Sequence, residues 1–213
     1  SGFYAISVCE TRLPGRGIMD LEDGWMFVHH NTDGDLQGAG VVLSPAAAEA
    51  WRAAGSRLDH DCDGRVLSIS LQAAGRECPW HIVVCYAPTA KATEAVVDKF
   101  FEGLSGVLSK ISRRSFVWLS GDLNSRVGRR ETHEDHLEEV IGPFGVSGSR
   151  NHSGDRLLLF CLAEGFRITN GFFDHSASKS ATWYHPRFRY HATLDLSLVR
   201  AEFCSNALDT VAM

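Results

Sequence analysis

Short apolar runs that end at turn residues constrain the fold of this chain most strongly. Residues Val66–Leu71 alternate apolar and polar side chains, which is the pattern of a half-buried strand. Residues 81–86 are apolar almost throughout and are followed by Ala87-Pro88, as expected for a strand that is covered on both faces. Similar runs occupy 39–43, 116–119, 166–169, 181–184 and 193–199. The chain is therefore predicted to be rich in strands.

Two segments have helical periodicity instead. The first carries one apolar stripe, formed by Val97, Phe100, Phe101, Leu104, Val107, Leu108 and Ile111. The second covers about 154–164, with Leu158, Cys161 and Leu162 predicted to face inward and Gly165 predicted to end the helix. Many strands with two clear helices predict an α/β (α+β) fold of two packed sheets with helices on their outer faces. Since no repeat or linker interrupts residues 1–213, we expect a single domain.

Composition narrows the class of protein. The formal net charge of −5 argues against constitutive tight binding of nucleic acid, although basic residues cluster at 113–114, 126–130 and 187–189. No apolar run approaches the roughly 20 residues of a membrane-spanning helix, and the first residues do not resemble a signal peptide. The six cysteines, at 9, 62, 78, 85, 161 and 204, form no CxxC pair and several lie in apolar runs. We therefore expect reduced core thiols in an intracellular protein.

Polar residues stand at or near the ends of several predicted strands. Glu10, Tyr86 and Asp195 belong to three of them, and Asp122 and Asn124 follow a fourth in the stretch SGDLNSRVG. Each has an ordinary explanation: a solvated strand end, a core ring with its hydroxyl at the rim, or a turn. Together they offer carboxylates for a cation, a base for a water molecule and donors for a phosphate. These are the groups that phosphodiester hydrolysis requires.

The same pieces, in this order, resemble the endonuclease/exonuclease/phosphatase family. The matching stretches are VCETRLPG, GAGVVL, VVCYAPT, WLSGDLNSRVG, NHSGDRLLLF, FRITNGFF, ATWYHP and LDLSLVR. Within that family the likeness is greatest to the endonuclease domains of LINE-type (non-LTR) retrotransposons and to craniofacial development protein 2-like sequences. The resemblance implies a deoxyribonuclease-like, four-layer sandwich of two mainly antiparallel sheets flanked by helices. It also implies a DNA endonuclease, nuclear if it is active.

The resemblance assigns roles to the polar residues and expects them to converge on one cleft. Glu10 would be the ligand of a magnesium or manganese ion, and Tyr86 would donate to the phosphate. Asp122 would orient or deprotonate the attacking water with Asn124 beside it, and Asp195 would hold a catalytic histidine. The stretch HPRFRYH resembles a hairpin laid against DNA, which suggests phosphate contacts for Arg187 and Arg189. Arg126, Asn151 and Trp183 are the remaining nucleic-acid candidates.

Two pieces of the family pattern have no counterpart in these 213 residues. They are an initial strand with an Asn and its following helix, and a final strand that opens with Ser-Asp-His. His133, His136, His185 and His191 do not replace that histidine convincingly, so we expect a rate lowered ~10²–10⁴-fold, to weak or absent activity. One alternative is a non-catalytic subunit of a larger assembly, in which another protein chain covers the incomplete sheet. A third hypothesis is a phosphatase acting on a small or lipid phosphate.

Overall fold

The structure, a computed structural model, describes residues 4–32, 37–61, 63–72, 74–131, 133–146, 148–185, 187 and 189–211. The chain divides into two compact units. Unit 1 comprises residues 1–88 and 93–121, and unit 2 comprises residues 89–92 and 122–213. Cys62, one of the predicted core thiols, lies outside the described residues.

Unit 1 contains an antiparallel sheet in the order β1-β4-β3-β2. Its strands are β1 (Ala5–Cys9), β2 (Arg16–Asp20), β3 (Met26–His30) and β4 (Ala39–Leu43). Four further strands of unit 1 follow the order β5-β6-β7-β8: β5 (Leu58–His60), β6 (Val66–Leu71), β7 (Trp80–Tyr86) and β8 (Val117–Asp122). Val28 and Val41 from the first set share a buried core with Ile69 and Val84 from the second, as expected for packed sheets.

Helices cover β6 in unit 1. Helix α1 (Pro45–Ala53) begins at Ser44, whose hydroxyl accepts from the Ala47 amide, and it packs on β4 and β6. Helix α2 (Glu94–Leu108) also packs on β6, with much of the predicted apolar stripe buried. Because of this cover, Ser68 on the predicted solvent face is only 3% exposed. The strand predicted at Val66–Leu71 is therefore confirmed, but its predicted half-burial was wrong.

Unit 2 contains three helices, α3 (Glu138–Ile141), α4 (His152–Glu164) and α5 (Ala177–Ser180), among its described residues. Its strands are β9 (Phe166–Ile168), β10 (Trp183–Tyr184), β11 (His191–Ala192) and β12 (Asp195–Arg200). β9 pairs antiparallel with β12, and β10 pairs antiparallel with β11. Helix α4 buries Leu158 and Cys161 and ends at Gly165 as predicted, but Leu162 is 44% exposed. The inward placement of Leu162 was wrong.

The described residues therefore form an α/β fold with two antiparallel or mixed sheets and five α-helices. The missing first and last elements, the helical outer layers and the single-domain organisation stay predictions. None of the described cysteines forms a disulfide, and Cys85 and Cys161 are buried as predicted. A search of the described residues for a helix long and apolar enough to cross a bilayer finds none.

Candidate functional site

Glu10 and Tyr86 meet in unit 1. Glu10 directly follows β1, and its backbone has a positive φ of 53°, a conformation that few residues other than glycine adopt. Tyr86 is the last residue of β7, and its hydroxyl donates a hydrogen bond to Glu10 Oε1 at 2.8 Å. The Arg12 guanidinium donates to Glu10 Oε2 at 3.0 Å. A strained backbone at a charged, partnered residue is typical of a functional position.

Residues behind this pair hold it in place. The Arg65 guanidinium lies 5.5 Å from the centroid of the Tyr86 ring and also donates to the Tyr86 carbonyl at 3.1 Å. Cys9 Sγ donates to the Cys85 carbonyl at 3.2 Å, which ties the end of β1 to the end of β7. Arg65 was not among the predicted site residues, because an isolated arginine 21 positions before Tyr86 belongs to no motif.

The carboxyl of Glu10 is ionised at neutral pH. The hydrogen bond from Tyr86 is the largest cause that lowers the pKa of Glu10, and the hydrogen bond from Arg12 is the next. An ionised, partly exposed carboxylate is a suitable oxygen ligand for Mg²⁺, which usually takes one or two carboxylates and keeps its remaining waters. Within the described residues no three Asp, Glu, His or Cys side chains form a cage, so Glu10 fits only such a sparse site.

Asp122 and Asn124 form a local turn in unit 2. Asp122 is the last residue of β8, and its Oδ1 accepts from the Asn124 amide at 2.9 Å. Asn124 has a φ of 46°, so the backbone is not extended there. Two residues at positions i and i+2 would face one side in extended backbone, and this turn replaces that arrangement. Both residues are partly buried, and the turn itself brings them together.

Asp195 opens β12 with an exposed side chain, as the strand alternation predicts. Its amide donates to Thr182 Oγ1 at 3.1 Å, and its carbonyl accepts from the Asn170 amide group at 3.4 Å. In the part of the chain that the structure describes, no histidine hydrogen-bonds to Asp195. Its role as the holder of a histidine stays a prediction.

Three of the nucleic-acid candidates lie in or beside the aromatic ribbon of unit 2, which consists of the paired strands β10 and β11 and the segment that joins them. Trp183 in β10 contacts Tyr190 edge-on at 5.8 Å between ring centroids, and the Arg126 guanidinium lies 5.6 Å from the centroid of Tyr190. Asn151 Oδ1 accepts from the amides of Arg126 at 3.0 Å and Gly154 at 2.9 Å. Asn151 is thus the N-cap of α4, a structural role that the sequence did not indicate.

The ribbon presents its aromatic and basic groups to solvent. Trp183 is 38% exposed and Tyr190 is 37% exposed. Arg187 and Arg189 are exposed in the segment that joins β10 to β11, and their amides bond to Nδ1 and the carbonyl of His185. The predicted hairpin is present in the pairing of Trp183 with Ala192 and of Tyr184 with His191. Pro186 and Phe188 of that hairpin lie outside the described residues.

His175, which belongs to no motif in the sequence, has a carboxylate partner. His175 Nε2 lies 2.6 Å from Asp209 Oδ1 in unit 2, and the His175 side chain is 19% exposed. The two residues are 34 positions apart, and neither stands in a motif. The structure thus brings together Glu10 with Tyr86, Asp122 with Asn124, and Arg126 with Asn151. That residues of the two units act together in one reaction stays a prediction.

Known proteins resemble this chain in sequence and in fold. No family model matches the chain. Craniofacial development protein 2 of Bos taurus is 26% identical over 201 residues, covering 94% of this chain and 32% of the relative. The Tragulus javanicus protein of the same name is 24% identical over 201 residues, covering 94% of this chain and 33% of the relative. The chain thus spans about a third of the length of these curated relatives.

A solved structure shares the fold. The crystal structure of AP endonuclease LMAP from Leishmania major superposes with a TM-score of 0.59 and 14% identity, over 94% of this chain and 71% of that one. At this identity the likeness concerns the fold alone. The chain therefore has the endonuclease/exonuclease/phosphatase fold and is a distant homologue of craniofacial development protein 2 over most of its length.

Proposed function

We propose that this chain is a magnesium-dependent phosphodiesterase domain of retroelement descent that acts on DNA as an endonuclease. The observation that carries the proposal is the hydrogen bond from Tyr86 to Glu10 at 2.8 Å. It pairs an ionised carboxylate with a hydroxyl donor at the ends of two strands. The AP endonuclease name of a structure with this fold agrees with the proposed reaction class.

Each residue has a chemical task in this proposal. Glu10 would hold the ion, which when bound would neutralise charge on the phosphate oxygens. Tyr86 donates a hydrogen bond that a phosphate oxygen can accept in place of Glu10. Asp122 accepts a proton from the attacking water, and Asn124 orients the same water through its amide group. Asp195 would orient a histidine that serves as general acid or base, although none of the described histidines hydrogen-bonds to it.

The aromatic ribbon suits the nucleic acid part of the proposal. Exposed Trp183 and Tyr190 offer faces on which bases stack, and Arg126 adds a cation beside them. Arg187 and Arg189 supply exposed charges for phosphates, which position a backbone without selecting sequence. Asn151 has its carbonyl oxygen committed to capping α4, so only its amide group is free to contact DNA by donation.

A plasmid-nicking assay tests this function. Supercoiled DNA incubated with the chain and Mg²⁺ should acquire single nicks at the low rate expected without the family's histidine, and chelation of the metal should abolish them. Asp122→Ala and Glu10→Gln should each lower the rate at least a hundredfold, whereas Glu139→Gln, which removes an exposed charge from α3, should not. Nicking that persists unchanged in Asp122→Ala would refute the assignment. Hydrolysis of an inositol phosphate without any DNA nicking would favour the phosphatase hypothesis instead.

A second candidate function, self-association through β1, rests on an apolar cavity in unit 1. The cavity measures about 710 Å³, and its described lining holds no Asp, Glu, Lys or Arg but includes Tyr4, Ile6, Trp25, Trp80, Phe116 and Trp118. Among the described strands of its sheet, β1 has only β4 beside it. Neither Pro nor a charged residue occurs between Tyr4 and Cys9, so β1 itself carries none of the residues that usually oppose strand pairing.

We propose a second copy of this chain as the occupant. An uncharged strand can pair antiparallel with its own copy about a two-fold axis without like-charge repulsion. Sedimentation equilibrium should then show a monomer–dimer equilibrium that Ile6→Lys abolishes. Ile18→Lys is the matched control, since Ile18 in β2 is 50% exposed and Ile6 is 55% exposed. A monomer at every concentration, or a dimer that Ile6→Lys leaves intact, would overturn this candidate.

A further inference from the structure

A second cavity lies within unit 2 and involves none of the residues assigned to phosphodiester hydrolysis. It measures about 310 Å³, at the lower end of the roughly 300–1,000 Å³ that is usual for small-molecule sites. Its lining includes Arg129, Phe144, Asp174 and His175. These four side chains offer a cation, an aromatic face, an acceptor and an imidazole in one place.

Arg129 is the available cation of this cavity. Among the described residues its guanidinium has no hydrogen bond or ion pair, whereas that of the neighbouring Arg130 binds Asp135 at 2.6 Å and Glu138 at 3.5 Å. Gly145 lets the Arg129 chain pass closely, because a Cβ on Gly145 would lie 2.5 Å from Arg129 Cγ. Arg129 is exposed, so its charge can meet a ligand that enters from solvent.

His175 lines the same cavity with its ring held by a carboxylate. Asp209 occupies its Nε2 at 2.6 Å, which leaves Nδ1 as the ring nitrogen that a ligand can reach. Asp209 is itself held by the Thr210 amide at 2.7 Å, and the Thr210 hydroxyl donates to Thr169 at 2.9 Å. The bond from His175 is the largest cause that lowers the pKa of Asp209, so this carboxylate is an ionised partner that holds the imidazole ring in place.

Phe144 and Asp174 indicate which groups the ligand carries besides a phosphate. Phe144 is 43% exposed, so its ring can stack against a planar ring. Asp174 is exposed on the same cavity and would repel a bare phosphate, but its carboxylate can accept from N–H groups. A ligand with both a phosphate and an N–H-bearing aromatic base satisfies all four side chains.

We infer that this cavity binds a nucleotide, with the phosphate on Arg129 and His175 and the base between Phe144 and Asp174. Guanine is the preferred base, since it presents two adjacent N–H donors to a carboxylate. The nucleotide can be free or can belong to a single strand of nucleic acid. Nucleotide binding at this cavity is independent of the proposed hydrolysis, because none of the residues that line the cavity has a role in that reaction.

Calorimetric titration with dGMP, inorganic phosphate and deoxyguanosine tests the inference. Arg129→Gln should weaken dGMP and phosphate about tenfold and leave deoxyguanosine unchanged. Phe144→Ala should weaken dGMP and deoxyguanosine about tenfold and leave phosphate unchanged. The matched controls are Arg114→Gln, an exposed arginine of unit 1, and Leu159→Ala, a 63% exposed apolar residue of α4. Both controls should bind all three probes like the unmodified chain.

Two further measurements sharpen the outcome. In a ¹⁵N spectrum, dGMP should move the His175 Nδ1 resonance, and Arg129→Gln should suppress that movement. A 5′-phosphorylated single-stranded oligonucleotide that binds tighter than dGMP identifies a strand as the source, and equal affinity identifies the free nucleotide. Absence of dGMP binding, or binding that is equal in the unmodified chain, Arg129→Gln and Phe144→Ala, would overturn the inference.

Discussion

The hydroxyl of Tyr86 donates a hydrogen bond to Glu10 Oε1 at 2.8 Å, although 76 positions separate the two residues in the chain. The bond joins the end of β7 to the residue after β1. It also keeps the Glu10 carboxyl ionised, together with Arg12. Its loss should therefore affect protonation, stability and the proposed hydrolysis at once.

Tyr86→Phe removes the hydroxyl that makes this bond and keeps the ring. We expect the pKa of Glu10 to rise toward its ordinary value of 4.5, as measured by ¹³C NMR of the carboxyl carbon. The free energy of unfolding should fall by about 1 kcal/mol. Tyr4→Phe is the control, because Tyr4 is 65% exposed. A pKa of Glu10 that does not move in Tyr86→Phe would contradict the assigned bond.

The sign of the pH dependence follows from the direction of this shift. Because folding lowers the pKa of Glu10, its contribution to stability is present above the ordinary value and is lost as the pH falls through the lowered one. The Glu10 side chain is 44% exposed, so solvent screens this contribution. The difference in urea midpoint between the unmodified chain and Tyr86→Phe should therefore shrink in acid.

Gly121 is required where β8 approaches β7. A Cβ there would lie 2.1 Å from the Cys85 carbonyl oxygen, and the φ of Gly121 is 139°. Gly121→Ala should therefore cost at least about 3 kcal/mol of unfolding free energy, because backbone must move. Gly106→Ala in α2 is the opposite control, since nothing lies within 4 Å of the added carbon. It should stabilise the chain by roughly 0.5–1 kcal/mol. Urea unfolding that shows equal effects for both would contradict the close approach.

Glu134 should contribute more to stability than Glu139, although each pairs with an arginine in unit 2. Arg150 Nη2 donates to Glu134 Oε2 at 2.9 Å, and Arg150 Nη1 donates to Oε1. The side chain of Arg150 is 18% exposed and that of Glu134 is 14% exposed. The side chain of Glu139, which pairs with Arg167, is 81% exposed. Glu134→Gln should cost about 2 kcal/mol, and Glu139→Gln less than about 0.5 kcal/mol.

The Arg150 hydrogen bond lowers the pKa of Glu134 from 4.5 to about 2. Its stabilisation is therefore complete above pH 4.5 and is lost as the pH falls toward 2. Urea unfolding at pH 7 and at pH 2 should show that Glu134→Gln destabilises the chain mainly at the higher pH. A cost that is the same at both values would rule out this charge pair as the cause.

The aromatic ribbon predicts two separable effects on DNA binding. Trp183→Ala should weaken binding of an oligonucleotide about tenfold without changing its salt dependence, since stacking is uncharged. The double variant Arg187→Gln/Arg189→Gln should reduce the slope of log affinity against log salt by about 2, or ~0.9 for each lost phosphate contact. Fluorescence anisotropy at several salt concentrations measures both. An unchanged slope in the double variant would exclude phosphate contacts by these arginines.

Local sequence predicted the strands and helices well where packing agreed with periodicity. The α4 stop at Gly165 and the buried stripe of α2 follow directly from residue order. Ser68 and Leu162 were misplaced, because the covering of β6 by helices and the outward turn of α4 depend on distant residues. Arg65 and the His175–Asp209 pair were missed for the same reason, as their partners are brought near only by the fold.

The pairing of Ser7 Oγ with Ser120 Oγ, 2.5 Å apart across 113 positions, also bears on how the chain folds during synthesis. Unit 1 draws its strands from residues near both limits of this interval, so the contact between β1 and β8 forms only after β8 has left the ribosome. Until then, the face of β1 that carries Ser7 lacks this partner in the nascent chain. Long-range closure of this kind is slow. We therefore expect the yield of folded protein to depend on translation speed and on chaperones that shield the first strand.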